Sequence, residues 1–183
     1  MINQELTFIT GNQNKADYLA KYLGVPVKHV KLDLDEIQSL DLKEIVEHKV
    51  RQAYEKIQTP VIVEDVSLEF EHLKGLPGPF IKFFVEFVPF ETICALVDGH
   101  TRNATARCGF GYFDGRNVEV FESSLAGEIA HAPSGENGFG WDTFFIPHGY
   151  TVTRASLNDE DYQHTYLQIK PFATLKAYLK ARM

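Results

Sequence analysis

Two cysteines among 183 residues are too few for a disulfide framework. Cys94 and Cys108 also stand outside any Cys-x-x-Cys or Cys/His spacing, which excludes the usual structural zinc sites. Both fall in apolar stretches and are read as buried, reduced core residues. Long apolar runs are missing too. The most apolar stretch, Phe80 to Val88, is broken by Lys82 and Glu86, so nothing reads as a membrane span. The opening Met1-Ile2-Asn3-Gln4-Glu5 carries neither a basic region nor an apolar signal core, which makes the cytoplasm the expected compartment. Basic residues are a minority, 18 against 25 acidic ones, for a formal charge of -7. Such a surface repels a phosphate backbone, so nucleic acid is not expected as a partner, although a few lysines gathered in one place still attract a small anion. The histidines show no His-Glu-x-x-His spacing, and the phosphate-binding GxxxxGK[ST] pattern is absent.

What is present reads as α/β. No repeat, low-complexity tract or Ser/Gly linker marks a boundary, so residues 1–183 are expected to form one domain. Leu6 to Ile9 reads as a buried strand ending at Thr10-Gly11-Asn12, with a helix from about Asn14 to Leu23. Val25 to Leu34 is strand-like. Leu42 to Ile57 is a helix, with Ile45, Val46, Val50, Ala53, Tyr54 and Ile57 at helical spacing. Pro60 ends it, and Val61-Ile62-Val63 is a strand running into acid. Phe80 to Val88 reads as a helix with Phe80, Phe83, Phe84 and Phe87 on one side. Alternation from Ala104 to Tyr112, the Asp114-Gly115 turn signal and Val118 to Phe121 predict a hairpin. A Gly-rich loop covers Ser134 to Gly140, and Pro171 opens a last helix. Early alternation of helices and strands followed by a hairpin predicts a mixed sheet.

Four features carry possible chemistry. Thr10-Gly11-Asn12 leads into a helix start, where backbone N–H groups attract anions and Lys15 adds a full charge; read alone, it is more simply a plain strand-to-helix turn with a solvated Lys15. Glu64-Asp65 follows Val61-Ile62-Val63, where α/β sheets gather ligands. Adjacent carboxylates there repel unless a cation or proton compensates, and Mg²⁺ suits that task. Glu36, in the acidic patch Asp33 to Glu36, is a possible third acid. Lys49 interrupts an apolar helical stripe, so it either snorkels to the surface or points into a cleft. Lys82 reads as part of a solvated face. In Ser134 to Asp142, Phe139 and Trp141 either form a slot for a base or plug the core, and Asp142 is a candidate acceptor of hydrogen bonds from a base. His164 by itself reads as a surface residue.

Together these segments resemble the inosine triphosphate pyrophosphatase (Ham1-like) family over nearly the whole chain. The most specific matches are Val61-Ile62-Val63-Glu64-Asp65 continuing to Gly75-Leu76-Pro77-Gly78-Pro79-Phe80-Ile81-Lys82-Phe83-Phe84, similar to the eukaryotic-type branch, and Phe139-Gly140-Trp141-Asp142, similar to the family's base-pocket signature. Thr10-Gly11-Asn12 with Lys15 matches the opening motif. The resemblance implies an elongated mixed-sheet α/β fold of two lobes around a central cleft, usually a homodimer. It implies Mg²⁺, with Mn²⁺ as a substitute, on Glu36 and Asp65. It makes Asp65 the acceptor of the attacking water's proton, with Glu64 and Lys15 beside it in the catalytic set. It assigns the triphosphate to the Thr10-Gly11-Asn12 turn and to Lys15, Lys49 and Lys82, and the base to Phe139, Gly140, Trp141, Asp142 and His164.

One segment departs. The family usually carries Ser-His-Arg near the C-terminus, where His and Arg read the oxygen at the purine 6-position; here it reads Gln163-His164-Thr165. The lysine usual about five residues before that His is replaced by Asp159. Losing a charged donor to the base costs on the order of 1.5–3 kcal/mol, enough to relax base discrimination roughly ten- to a hundredfold. Arg154 and Lys170 are the nearby candidates to replace it. The expected reaction is cleavage of ITP, dITP and XTP to monophosphate and pyrophosphate. The alternatives are the same reaction with relaxed base choice, or nucleotide binding without turnover.

Overall fold

The computed structural model of the protein describes residues 6–182. Its sheet begins with β1 (Leu6–Ile9), a short run of apolar and β-branched residues. It pairs in parallel with β2 (Val27–Val30), Leu6 opposite Val27 and Ile9 opposite Val30. On its other side it pairs in parallel with β3 (Val61–Phe70), Thr7 opposite Val61. With β4 (Pro77–Gly78), β5 (Asn103–Phe113), β6 (Val118–Ile129) and β7 (Phe145–Pro147), the sheet order is β2-β1-β3-β5-β6-β7, β4 pairing on β3. β4 and β7 pair antiparallel to β3 and β6, so the sheet is mixed, as the order of elements predicts. The fold divides into two compact units, Met1–Asp65 with Gly109–Glu122 and Pro171–Met183, and Val66–Cys108 with Ser123–Lys170. Three of the four divisions fall inside β3, β5 and β6, and the fourth falls between the last two helices.

In the first unit, α1 (Gln13–Leu23) buries Ala16, Leu19 and Leu23, and α2 (Leu42–Ile57) buries Leu42, Ile45, Val46, Val50 and Ala53. Asp41 caps α2 by accepting from the N–H groups of Lys43 and Glu44. The buried stripe packs on Val61 and Val63 of β3. Each leucine, isoleucine or valine of the stripe, taken fully out of water, contributes about 1.5–3 kcal/mol. On β5, Gly109 and Gly111 leave the space that α2 fills: a Cβ at Gly111 would stand 2.8 Å from Val46 Cγ1 and 3.1 Å from the Val46 carbonyl. These two positions let the helix lie close to the strand, which brings Lys49 over the sheet. The last helix, α6 (Phe172–Lys180), starts after Pro171 as predicted, and Phe172 packs on Tyr22 and Phe110.

Three expectations are corrected. The strand predicted over Val25 to Leu34 pairs only at Val27–Val30, because β1 offers four residues to pair with. β3 does not stop at Val63 but runs to Phe70, so Glu64 and Asp65 lie within the strand rather than beyond its end. The phenylalanines of α3 (Ile81–Phe87) do not form a buried face: Phe83 and Phe87 are 49% and 72% exposed, and only Ile81 is fully buried. Two further helices lack a readable apolar stripe, α4 (Phe90–Ala95) and α5 (Asp159–Ile169). The buried residues of α5 are Thr165 and Ile169, so its inward face is partly polar and its period is masked. Cys94 and Cys108 are buried and free, as expected. Among the described residues no helix is long and apolar enough to cross a membrane.

Candidate active site

Two clusters of charged side chains gather most of the residues that the sequence singles out, one in each unit. In the first unit, β1 ends at a turn held by Thr10 Oγ1, which accepts from Asn12 N–H at 3.1 Å. Asn12 then caps α1, its Oδ1 accepting from Asn14 N–H at 3.0 Å. Lys15 follows in the first turn and sets its Nζ 3.0 Å from Glu64 Oε1. A further cation, missed in the sequence, adjoins this turn: the stem of Lys31 passes 3.4 Å from where a Gly11 Cβ would be.

Glu64 and Asp65 are neighbours in sequence but serve different helices. Successive side chains of a strand point to opposite faces. Glu64 meets Lys15 of α1, whereas Asp65 Oδ2 lies 2.9 Å from Nζ of Lys49 on α2. The same ammonium lies 3.0 Å from Glu36 Oε1. The repulsion expected between adjacent acids is thus relieved by separation and by a lysine for each. Burial lowers the Lys49 pKa, but the charges and hydrogen bonds of Asp65 and Glu36 more than offset it and hold the ammonium above its ordinary value. Glu36 owes its place to α2. Gln52 accepts from Asp35 N–H at 2.9 Å and donates to Asp35 Oδ2 at 3.0 Å, and Lys56 donates to the Asp33 carbonyl at 2.6 Å. Lys49, Gln52 and Lys56 follow one helical face, and that spacing is the signal by which the sequence could have shown the loop docked.

In the second unit the Phe139-Gly140-Trp141-Asp142 segment forms a 3₁₀ turn over Gly140–Thr143. Asp142 is 1% exposed. Its Oδ2 accepts from Phe139 N–H at 3.1 Å and from the Tyr162 hydroxyl at 2.9 Å, and its Oδ1 takes the Arg154 guanidinium at Nη1. Both carboxylate oxygens therefore serve the protein, and Asp142 is the hub of a buried network. Gly138, at φ 73°, allows this closeness, since a side chain there would collide with Asp142 and the Tyr162 hydroxyl. Arg154 lies over the Tyr162 ring at 4.2 Å and the Trp141 ring at 5.6 Å, and its Nε donates to Thr165 Oγ1 at 3.0 Å. Burial and the Asp142 charge push the Tyr162 hydroxyl up to about 12, against the opposing pull of Arg154. No signal in the sequence marks Tyr162 or Thr165 as a partner of Arg154.

The side chains of Lys82, Phe139 and His164 stand apart from these contacts. Lys82 is on the exposed part of α3. Phe139 is 67% exposed, while Trp141 packs edge-on against Phe145 at 5.6 Å. His164 is exposed on α5, its Nε2 3.1 Å from Gln168 Nε2. Lys170 is buried, its Nζ 3.5 Å from Cys108 Sγ. A cavity of about 670 Å³ in the second unit contains none of the predicted residues; Glu69, Glu71 and Glu128 in its lining would repel a triphosphate.

The chain is similar over most of its length to known proteins. The profile of the Ham1 family matches residues 6–178. Inosine triphosphate pyrophosphatase 2 of Trypanosoma cruzi is 40% identical over 181 residues, covering 96% of this chain and 92% of that one. Inosine triphosphate pyrophosphatase of Schizosaccharomyces pombe is 37% identical over 174 residues, covering 91% and 92%. The fold is shared with the Ham1 protein of Staphylococcus aureus, at a TM-score of 0.82 and 24% identity over 98% of this chain and all of that one.

Proposed function

We propose, for a chain that belongs to the Ham1 family, that it is a nucleoside triphosphate pyrophosphatase that cleaves ITP, dITP and XTP to the monophosphate and pyrophosphate. The observation that carries this reading is the convergence of Glu36 and Asp65 on one cation, the Lys49 ammonium, at 3.0 and 2.9 Å. Two carboxylates that jointly hold an ammonium suit a divalent cation, and Mg²⁺ characteristically takes one or two carboxylates and completes its shell with phosphate oxygens and water. Glu36 and Asp65 are therefore the residues that would hold Mg²⁺, or Mn²⁺ in its place. A divalent cation bound there supplies charge neutralisation along the triphosphate.

The chain's own residues supply the rest. Lys49, released from the carboxylates, turns to the triphosphate, and Lys15 and Lys82 add charge to it. Glu64 fixes Lys15 through their ion pair. The Asn12-capped start of α1 offers backbone N–H groups to a phosphate. Water attacks the α-phosphorus, its proton passes to Asp65, and the bond to the bridging oxygen of the pyrophosphate breaks. No side chain forms a covalent intermediate.

Incubation with ITP and Mg²⁺, followed by measurement of both phosphate products, tests the reading. Pyrophosphate with IMP supports it; orthophosphate alone, or tight ITP binding without turnover, rules it out. The exposed Phe83 and Phe87 of α3 support the expected homodimer, and light scattering in solution tests that part. The cytoplasm remains the proposed site of action, to be tested by localising a tagged chain.

A further inference from the structure

The irregular segment between β2 and α2 is built as a strap. Residues 31–39 form neither helix nor strand, and Asp33, Asp35 and Glu36 are exposed acids that repel one another. They are fixed all the same, because the segment runs antiparallel along α2 and is tied to it rung by rung. Lys56 Nζ donates to the Asp33 carbonyl at 2.6 Å, Gln52 holds Asp35, Lys49 meets Glu36 at 3.0 Å, and Ser39 Oγ donates to Glu44 Oε2 at 2.7 Å. Leu34 packs against the buried cluster that contains Val46 and Val50. Between Glu44 and Lys56 the helix rises about 18 Å. A fully extended chain from Asp33 to Ser39 reaches about 20–22 Å. The strap therefore has little slack, and its rungs set where each residue lies.

Gln52 differs from the other rungs. Its amide binds Asp35 twice, Oε1 accepting from the backbone N–H at 2.9 Å and Nε2 donating to Oδ2 at 3.0 Å. Asp35 directly precedes Glu36, so this clamp fixes the backbone from which the Glu36 carboxylate projects. The neighbouring rung is temporary, since the Lys49 ammonium has to leave Glu36 when a divalent cation takes its place. Gln52 and Lys56 are then the ties that keep Glu36 beside Asp65.

We propose that Gln52 is a positioning residue for the divalent cation: by clamping Asp35 at its N–H and its carboxylate, it holds Glu36 in register with Asp65 and so sets the affinity of the site. This assignment rests on the reading of Glu36 and Asp65 as the pair that holds the cation. Partners that orient a ligating carboxylate change metal affinity about 10- to 100-fold when removed. The physical cause is preorganisation. A loose strap has to be ordered again each time the cation binds, and that lost freedom is subtracted from the affinity.

Titration of the full chain with Mn²⁺ alone, read as loss of the free-ion electron paramagnetic resonance signal, tests this without nucleotide or turnover. Gln52→Leu leaves every charge in place and keeps a good helix former. Its Mn²⁺ dissociation constant is expected to rise about 10-fold. The Mg²⁺ concentration for half-maximal pyrophosphate release from ITP should rise by the same factor, with the loss recovered at high Mg²⁺. Hydrogen exchange of the Asp35 amide should quicken in the same variant. Lys56→Met separates the strap from simple electrostatics. Removing a nearby cation favours Mn²⁺ by charge alone, whereas losing a rung weakens its binding, by about 3-fold. If Gln52→Leu does not fold, that sign decides. Unchanged Mn²⁺ affinity in folded Gln52→Leu, or tighter binding by Lys56→Met, overturns the inference and leaves the cation pair standing. A wild type that takes up no Mn²⁺ overturns the pair and the inference with it, while pyrophosphate release from ITP judges the reaction separately.

Discussion

The charged cluster around Lys49 and the one around Arg154 use similar groups in opposite ways. Around Lys49 the partners are partly exposed: Glu36 is 45% and Asp65 20% accessible at the side chain. The cation is a compact ammonium on a flexible stem. Such an ion pair is weakly held and exchanges readily for other charges, which is what a site that must admit metal and phosphate needs. Around Arg154 both charges are nearly sealed off, the guanidinium is planar, and hydrogen bonds and rings fix its orientation. The first arrangement is made to exchange partners and the second to keep a shape.

The largest expected effect breaks function without breaking the fold. Asp65→Asn should lower pyrophosphate release about 10²- to 10⁴-fold, the usual range for loss of a proton acceptor. Its unfolding free energy in urea should fall by only about 1 kcal/mol, because Lys49 keeps the half-exposed Glu36 as a counter-charge. Asp142→Asn should do the reverse of that on stability. It leaves a buried guanidinium without its counter-charge, and urea denaturation should show a loss of about 3–5 kcal/mol. Equal destabilisation by the two variants would remove the contrast between the clusters. Next, Lys49→Met should reduce kcat/KM for ITP about 100-fold. It should also tighten divalent-cation binding measured calorimetrically without nucleotide, because the competing ammonium is gone.

The smallest effect is a pH dependence. Folding raises the Tyr162 pKa from its ordinary value of 10.0 to about 12. A group raised in the folded state contributes its full stability below the unfolded value and loses it as pH climbs through the folded one. The stability gap between wild type and Tyr162→Phe, about 1.5 kcal/mol from the lost bond to a charged acceptor, should therefore narrow between pH 10 and 12. Urea midpoints at pH 9 and pH 11.5 would show it, and a constant gap would contradict it.

The two clusters also differ in how far the sequence reveals them. Leu42 to Ile57 was legible to the residue because its apolar period is regular, and Lys49 was conspicuous as the break in that period. Thr10-Gly11-Asn12 and Glu64-Asp65 were legible because strand ends and acid pairs have short signatures. What the spacing did not reveal was which lysine each acid meets, since that depends on β3 continuing past Val63. The Arg154 network was hidden for a different reason. Its members come from a turn, a 3₁₀ segment and a helix whose inward face is polar, so no periodicity connects them. Thr165 looked like a loss in one dimension, and only the fold places a guanidinium against it.

The alternation of β3 has a consequence for how this chain tolerates change. Glu64 and Asp65 are assigned to different helices by parity alone, so each acid is substituted independently of its neighbour. A single-residue deletion just before them shifts the reading frame of the strand instead. It would present Asp65 to the Lys15 face and Val66 to the Lys49 face, exchanging one partner and erasing the other at a stroke. Chain length from Pro60 to Asp65 is therefore held as strictly as the two acids themselves, and lineages of this sequence should accumulate conservative replacements only over Val61 to Val63 while excluding odd-numbered insertions and deletions.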